Sequence, residues 1–155
     1  TISDINEARL HEVGSKYGAK IYTGDDLYSL DVDIYAPCAL GAIINDDTIN
    51  KIQAKVIAGA ANNQLANEVV HGQLLKDKGI LYAPDFLINA GGVINVYSEI
   101  AHLTKEQVIE KTENIYNTAL EIFDFADKNN ITTHQAAFSI AQNRIDERKK
   151  ELQNS

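Results

Sequence analysis

Several residue types that mark specialised classes of protein are rare or missing in these 155 residues. The sequence has one cysteine, Cys38, which excludes an internal disulfide framework and is typical of a reducing compartment. No apolar run approaches the roughly 18 residues that a membrane span requires, and no charged and then apolar signal peptide opens the chain. We therefore expect a cytoplasmic protein that does not enter a membrane.

Positive charge is also scarce. The 14 lysines and arginines are outnumbered by 22 aspartates and glutamates, which gives a formal net charge of −8. The dense basic stretch at 144–150 is interrupted by acidic residues, a pattern typical of a solvated helix face. A nucleic-acid partner is therefore not expected.

Methionine is absent altogether, and residues 2–5 already have the apolar character of a strand. Removal of an initiator methionine would explain the first observation but not the second. We therefore expect the chain to be part of a longer polypeptide. Its length and its 45% hydrophobic residues are sufficient for a domain with its own core.

Short apolar runs alternate with helical patterns along the first two thirds of the chain. The predicted strands are 2–5, 19–22, 32–36, 56–60 and 81–83, and the predicted helices are 6–17, 48–53 and 67–78. This alternation with short connections is typical of a parallel sheet covered by helices. The expected fold class is α/β, with a mostly parallel, doubly wound sheet over residues 1–103.

Residues 104–155 change to a purely helical pattern, and two long helices are predicted. Thr104 with Gln107, and Thr132 with Gln135, match the capping box that begins a helix. The asparagine pair at 129–130 separates the two predicted helices. We expect them to close the sheet and to reach a neighbouring domain.

Four polar or turn-forming sites follow predicted strands, at Asp4, 37–41, Asn62 with Asn63, and Asn89. Ligands bind at the carboxyl ends of strands in doubly wound sheets, which makes each of them a candidate. Each also has a simpler explanation, since Asp4 could be a helix N-cap and the two asparagines could be ordinary turn residues. Their occurrence at consecutive strand ends favours a common site.

The most informative stretch runs from Tyr82 to 96. Pro84 ends a short strand, and Asn89 precedes a glycine pair, 91–92, after which the pattern turns helical. A glycine backbone lets a flat ligand approach closely, and an amide side chain offers both a donor and an acceptor. These features favour a site for an aromatic amide such as nicotinamide.

This stretch resembles the Asn-Ala-Gly-Gly-Val motif of the dehydrogenases that act on glutamate, leucine, phenylalanine and valine. The Val-Ile-Asn-Val that follows is most similar to the leucine-dehydrogenase branch, and the resemblance extends over residues 3–145. It implies a Rossmann-like NAD-binding domain, a homo-oligomer, and reversible oxidative deamination of a branched-chain L-amino acid to its 2-oxo acid, ammonia and NADH. The alternatives are phenylalanine, valine or glutamate as substrate, or a non-catalytic module that binds a nucleotide or a partner.

The resemblance also implies a role for each strand end. Asp4 matches the carboxylate that accepts hydrogen bonds from the adenosine ribose hydroxyls, which favours NAD over NADP because a 2′-phosphate would be repelled. The loop that passes the ribose and pyrophosphate is matched by Cys38, Ala39 and Leu40. We expect Cys38 to be a small buried side chain whose backbone, not its thiol, contributes.

The nicotinamide end of the cofactor is matched by three asparagines. Asn62 and Asn63 match the turn beside the nicotinamide ribose, and Asn89 matches the residue that binds the carboxamide. Val93 and Val96 match the substrate pocket, and the glutamate enzymes carry a serine where Val96 stands. Two valines suit an aliphatic side chain and offer no partner to a buried carboxylate.

A Gly-x-Gly-x-x-Gly fingerprint stands roughly 20 residues before the ribose carboxylate in dinucleotide-binding folds. Because Asp4 is the fourth residue, we expect the first strand and its glycine loop, and also an N-terminal substrate domain with the family's catalytic lysine and aspartate, to be missing from these residues. No catalytic residue is assigned, and the chain alone is expected to be inactive. No metal site is expected either, because the four histidines lack the spacing of one.

Overall fold

The computed structural model describes residues 1–153. Three parallel strands form one sheet in the order β1-β2-β3, with β1 at Ile34–Tyr35, β2 at Val56–Ile57 and β3 at Leu81–Tyr82. Three of the predicted strands are therefore confirmed, although each is shorter than predicted. The expected α/β class with parallel strands is confirmed, and the doubly wound, Rossmann-like arrangement stays a prediction.

The two strands predicted nearest the amino terminus do not join this sheet. Ile2 and Ile21 form one isolated parallel bridge, and a second isolated bridge joins Ile44 to Leu65. A ladder extends only where a neighbouring strand supplies partners along its length. β1 is the last strand on its side of the sheet, and Ile34 in it is 60% exposed.

The helix predicted at 48–53 is wrong, since the segment forms turns. The Asn45 carbonyl accepts from the backbone of Ile49 at 3.0 Å, but the Thr48 hydroxyl donates to the Ile43 carbonyl at 2.5 Å. Such side-chain bonds to the backbone compete with a helical ladder. The turns still bury Ile49 and Ile52 in the core beneath the sheet.

The other two predicted helices of this region are confirmed as α1, Glu7–Tyr17, and α2, Glu68–Asp77. Each begins at an asparagine whose side chain accepts from the backbone of the first turn, Asn6 for α1 and Asn67 for α2. Gly18 ends α1 in the left-handed conformation, with φ of 64°.

Two helices follow β3, a short α3 at Asp85–Ile88 and then α4 at Ala90–Ile100. The glycine pair therefore lies inside the first turn of α4, and the prediction that the helix begins at Val93 is wrong by one turn. Asn89 between the two helices has a nearly helical backbone, with φ of −92° and ψ of 7°, so one helix leads almost directly into the next.

The carboxy-terminal region has three helices where two were predicted. They are α5 at Lys105–Glu113, α6 at Ile115–Asn129 and α7 at Thr133–Gln153. The first predicted helix is divided at Asn114, although the backbone of this residue is helical and still donates to the Glu110 carbonyl at 3.0 Å and accepts from the Thr118 N–H at 3.1 Å. Both predicted capping boxes form.

Two clusters of buried residues make up the core. One lies around the sheet and includes Ile44, Ile57 and Leu75, and the other joins α6 and α7 to Leu87 of α3. α7 also contacts the sheet, where the Thr133 hydroxyl donates to the Tyr82 carbonyl at 2.6 Å. The division at residue 103 into two regions stays a prediction. Within residues 1–153, no helix is both long and apolar enough to cross a membrane.

Candidate functional site

The loops that follow the three strands meet at the carboxyl edge of the sheet. The backbone of Ala61, after β2, donates to the Pro37 carbonyl, after β1, at 2.9 Å. Ala42 of the first loop donates to the Asn63 carbonyl at 2.7 Å. Asn89, after β3, donates from its side-chain amide to the Ala60 carbonyl at 3.3 Å. The predicted convergence of the loops after β1, β2 and β3 is therefore present.

Two glycines allow the first two loops to approach this closely. A Cβ on Gly59 would lie 2.1 Å from the Pro37 carbonyl oxygen, and a Cβ on Gly41 would lie 2.7 Å from the Asn62 carbonyl oxygen. Atoms of a real side chain cannot approach a backbone oxygen so closely, so the contact requires the missing side chain.

Asn62 and Asn89 are in direct contact. The Asn89 side-chain amide donates to the Asn62 side-chain carbonyl at 2.5 Å. Asn62 is exposed and Asn89 is half-buried, so the pair lies at the surface end of the sheet. The structure therefore brings together two of the three asparagines that were predicted to surround a nicotinamide group.

Asn63 completes the turn with an unusual backbone. Its φ is 53°, a left-handed conformation that asparagine adopts more easily than most residues. Its backbone N–H donates to the Asp85 carboxylate. The next residue, Gln64, is fully buried and stabilises the turn. Its amide donates to the Gly59 carbonyl at 2.7 Å and the Ala61 carbonyl at 2.9 Å.

A polar cluster lies beneath this turn. Burial raises the pKa of the Tyr82 phenol well above its ordinary value, and the adjacent Asp85 carboxylate raises it further. Because its pKa is raised, the Tyr82 phenol stays protonated at any physiological pH. In the same cluster, the Nε2 atom of the buried His134 lies 3.0 Å from the Glu68 carboxylate of α2.

The loop 38–40 projects away from the protein. Cys38, Ala39 and Leu40 are all exposed, and Leu40 is 73% exposed. The expectation that Cys38 is buried is wrong, because Pro37 is the residue of this loop that is buried against Gly59. The backbone of the loop is accessible to a ligand, and its contact with a cofactor stays a prediction.

Asp4 is not joined to the three strand ends by any hydrogen bond or strand pairing found within residues 1–153. It follows the isolated bridge at Ile2, is exposed, and accepts from the Asn6 backbone at 2.8 Å. The N-cap of α1 is Asn6, so the simpler explanation of Asp4 as that cap is wrong. Its role toward a ribose stays a prediction.

Val93 and Val96 lie on α4 and are 72% and 61% exposed. They stand four and seven positions after Asn89, a spacing that puts all three on one face of the helix. Their role as part of a substrate pocket stays a prediction.

Two of the four histidines, His71 and His134, have hydrogen-bond or ion-pair partners. Nδ1 of the buried His71 accepts from the Asn67 backbone at 2.9 Å, and its Nε2 lies 3.2 Å from the Asp46 carboxylate. No cluster of three or more histidine, cysteine, aspartate or glutamate residues that could hold a metal occurs in the part of the chain that the structure describes.

Comparison with known proteins identifies the family of the chain. A sequence model of the Glutamate/Leucine/Phenylalanine/Valine dehydrogenase family matches residues 2–152. The chain belongs to this family.

Relatives in this dehydrogenase family carry several substrate names. An L-tryptophan dehydrogenase of Nostoc punctiforme is 49% identical, with 96% of this chain and 42% of the relative covered. A leucine dehydrogenase of Thermoactinomyces intermedius is 46% identical, with 94% and 39% covered. A phenylalanine dehydrogenase of Bacillus thermotolerans is 45% identical, with 93% and 39% covered. The chain thus spans about 40% of the length of these relatives.

Solved structures of the family show the same fold. The crystal structure of the Nostoc punctiforme L-tryptophan dehydrogenase matches with a TM-score of 0.91 at 49% identity, over 96% of this chain and 44% of that one. A hetero-hexameric glutamate dehydrogenase of Thermus thermophilus matches with a TM-score of 0.67 at 20% identity, over 92% and 36%. The second likeness concerns the fold alone.

Sequence reasoning missed two residues that hold the asparagine turn, Asp85 and Gln64. Asp85 follows Pro84 and is the first residue of α3. An acidic residue in the first turn of a helix is usually explained by the helix dipole. A signal was available, since a carboxylate at a strand end is also a candidate partner for the neighbouring loop. Gln64 gives no comparable signal, because only its complete burial distinguishes it from a surface glutamine.

Proposed function

We propose that this chain supplies the nicotinamide side of the cofactor site of an NAD-dependent L-amino-acid dehydrogenase. The observation that carries the proposal is the contact between Asn62 and Asn89 at the carboxyl edge of the sheet, in a chain that belongs to a dehydrogenase family. The enzyme meant is the whole protein, that is, this chain together with any further polypeptide that belongs to it.

The residues present fit the cofactor. Both N–H groups of the Asn89 amide are already used, toward the Ala60 and Asn62 carbonyls, so Asn89 offers its side-chain carbonyl to the N–H of a carboxamide. Asn62 offers its amide N–H groups to the neighbouring ribose. A Cβ on Gly92 would meet nothing within 4 Å, so the start of α4 leaves open space beside Asn89 for a flat ring. Asp4 offers a carboxylate to the adenosine ribose, which favours NAD over NADP.

These residues bind and orient, and none of them moves a proton. When bound, NAD would supply the hydride acceptor for oxidation of the substrate. By holding the carboxamide, Asn89 would determine which face of the ring is turned toward the substrate. Fixing the two reacting atoms in this way lowers the entropic part of the barrier. The proton chemistry belongs to residues elsewhere in the whole protein.

We propose an apolar substrate, with branched-chain L-amino acids preferred. The support is the exposed pair Val93 and Val96 on the same face of α4 as Asn89, and the similarity to leucine dehydrogenases. An aromatic substrate is the second candidate, because a relative named for tryptophan is 49% identical. Glutamate is disfavoured, since burying its carboxylate against two valines would cost several kcal/mol, roughly 3 or more.

Steady-state rates test the proposal. The whole protein is assayed with NAD and with leucine, isoleucine, valine, phenylalanine, tryptophan and glutamate, following NADH absorbance. We expect the branched-chain substrates to exceed glutamate by at least about a hundredfold in kcat/KM. Comparable efficiency with glutamate would contradict the apolar pocket, and higher efficiency with tryptophan would favour the second candidate.

The rival function is a non-catalytic module that binds a nucleotide or a partner. The same assay separates the two, because a module would give no turnover with any amino acid. The homo-oligomeric state and the cytoplasmic location expected from the sequence stay predictions.

A further inference from the structure

Asp85 contacts both halves of the asparagine site. Its carboxylate accepts from the backbone N–H of Asn63, the residue directly after Asn62. Its backbone carbonyl accepts from the backbone N–H of Asn89 at 2.9 Å. One residue therefore holds the turn after β2 with its side chain and the residue after α3 with its main chain.

The Asp85 carboxylate stabilises the turn at Asn63, which has an unfavourable backbone conformation. Asn63 has a φ of 53°, and a non-glycine residue keeps such a backbone only where its surroundings hold it. Its carbonyl is held by the Ala42 N–H at 2.7 Å, and its N–H is held by Asp85. Removal of the carboxylate would leave this N–H without its partner and would loosen the turn that orients the Asn62 side chain.

The surroundings of Asp85 strengthen this contact. The residue is 8% exposed, so water competes little for its carboxylate. The buried Tyr82 phenol lies beside it, and because burial keeps the phenol protonated, a hydrogen-bond donor is available there. A charged hydrogen bond in such a site is about twice as strong as a neutral one.

From this geometry we infer that Asp85 is a positioning residue for the nicotinamide end of the cofactor. It does not contact the ring. It fixes the distance and orientation between the Asn62 and Asn89 side chains, which are joined at 2.5 Å. The inference rests on the proposed function and deepens it, because it says what sets the geometry of the two amides.

The test compares two ligands that differ at the nicotinamide end. NADH carries the nicotinamide ring, and ADP-ribose has the same adenosine and pyrophosphate without the ring. In the whole protein, Asp85→Ala should weaken NADH binding roughly tenfold, whereas ADP-ribose binding should stay within about twofold. Asp85→Asn retains a neutral acceptor for the Asn63 N–H, so its NADH affinity should lie between those of Asp85→Ala and the wild type.

Glu68→Gln is the matched control. It also removes one carboxylate beneath the turn, but the partner of Glu68 is His134 and not Asn63. This variant should bind both ligands as the wild type does, even if its melting temperature falls. Thermal unfolding of all three variants separates a loss of stability from a loss of orientation.

The outcomes distinguish the inference from the proposed function. If the Asp85 variants weaken NADH and ADP-ribose equally, or weaken neither, Asp85 is a structural residue and the positioning role is wrong. If Asp85→Ala does not fold, Asp85→Asn decides by the same comparison. A wild-type protein that binds NADH no better than ADP-ribose would contradict the nicotinamide site itself, and the role of Asp85 with it.

Discussion

The side-chain amide of Asn89 donates a hydrogen bond to the side-chain carbonyl of Asn62 at 2.5 Å, although 27 residues separate them in the sequence. The contact exists because β2 and β3 are parallel neighbours, so that the residues after each strand emerge at the same edge of the sheet. Each amide keeps hydrogen-bonding capacity beyond this contact, since an asparagine side chain has two N–H groups and a carbonyl with two lone pairs.

Replacement of either asparagine should weaken NADH binding in the whole protein, but to different extents. Asn89→Ala removes the proposed carboxamide partner and should lower NADH affinity on the order of tenfold, which corresponds to about 1.4 kcal/mol. Asn62→Ala leaves Asn89 attached to the Ala60 carbonyl, so we expect a loss of only about threefold. Fluorescence titration with NADH measures both.

Asn117→Ala is the control for these two variants. Asn117 is an exposed asparagine of α6 whose amide donates to the Asn114 side chain, three residues earlier in the chain. Its replacement should leave NADH binding unchanged. Equal affinities for Asn89→Ala and Asn117→Ala would show that the carboxamide is held elsewhere.

Gly59 and Gly92 should respond in opposite ways to the same added methyl group. Gly59→Ala should lower the free energy of unfolding by about 1–3 kcal/mol, because the new Cβ would lie 2.1 Å from the Pro37 carbonyl oxygen. Gly92→Ala should raise the free energy of unfolding by up to about 1 kcal/mol, because α4 gains a better helix former in open space. Urea denaturation measures both changes.

The open space beside Gly92 has a second consequence. If a nicotinamide ring lies against this part of α4, Gly92→Ala should weaken NADH binding while it stabilises the fold. A variant that is more stable and binds NADH as tightly as the wild type would contradict the predicted approach of the ring to the glycine pair.

The sequence was sufficient for features that depend on local chemistry. Both capping boxes, the helices α1 and α2 and the three strand positions follow from side chains within a few residues of each element. The asparagines after β2 and β3 were also found, because parallel strands bring their carboxyl ends together whatever the details of the loops.

The errors arose where contacts with residues outside the predicted element decide. The 48–53 segment has helical spacing, but the Thr48 hydroxyl is bonded to the Ile43 carbonyl and holds the segment in turns. Cys38 is expected in the interior, yet Pro37 occupies the buried position because Gly59 makes room for it. The importance of Asp85 depends on Asn63, which lies 22 residues earlier in the chain, and its position at a strand end indicates a candidate without identifying that partner.

Asp4 offers a test of cofactor choice. In the whole protein, Asp4→Ala should weaken NAD binding by roughly tenfold to a hundredfold, because a charged hydrogen bond to the ribose hydroxyls contributes about 1.5–3 kcal/mol. NADP binding should weaken less or improve, since the repulsion of its 2′-phosphate is removed. The dissociation constants of NAD and NADP are measured for the wild type and the variant. If their ratio does not change, Asp4 has no role in cofactor choice, and its bond to the Asn6 backbone is structural.

The substrate pocket can be tested with two valines of nearly equal exposure. Val93 of α4 is 72% exposed and Val69 of α2 is 74% exposed, so replacement by alanine should change the stability of the fold similarly at both positions. Of these two valines, only Val93 lies on the same helix face as Asn89. A loss of activity confined to Val93→Ala therefore reports on the substrate and not on the stability of the fold.

The size of the loss follows from the buried surface. Val93→Ala removes two carbon atoms from the proposed wall, and each buried methylene contributes about 0.8 kcal/mol. We expect kcat/KM for leucine to fall on the order of tenfold, and kcat/KM for L-2-aminobutyrate, whose side chain is two carbons shorter, to fall much less. Val69→Ala should change neither. A uniform fall for both substrates would mean that Val93 supports the helix without touching the side chain of the substrate, and an unchanged value for leucine would remove Val93 from the pocket.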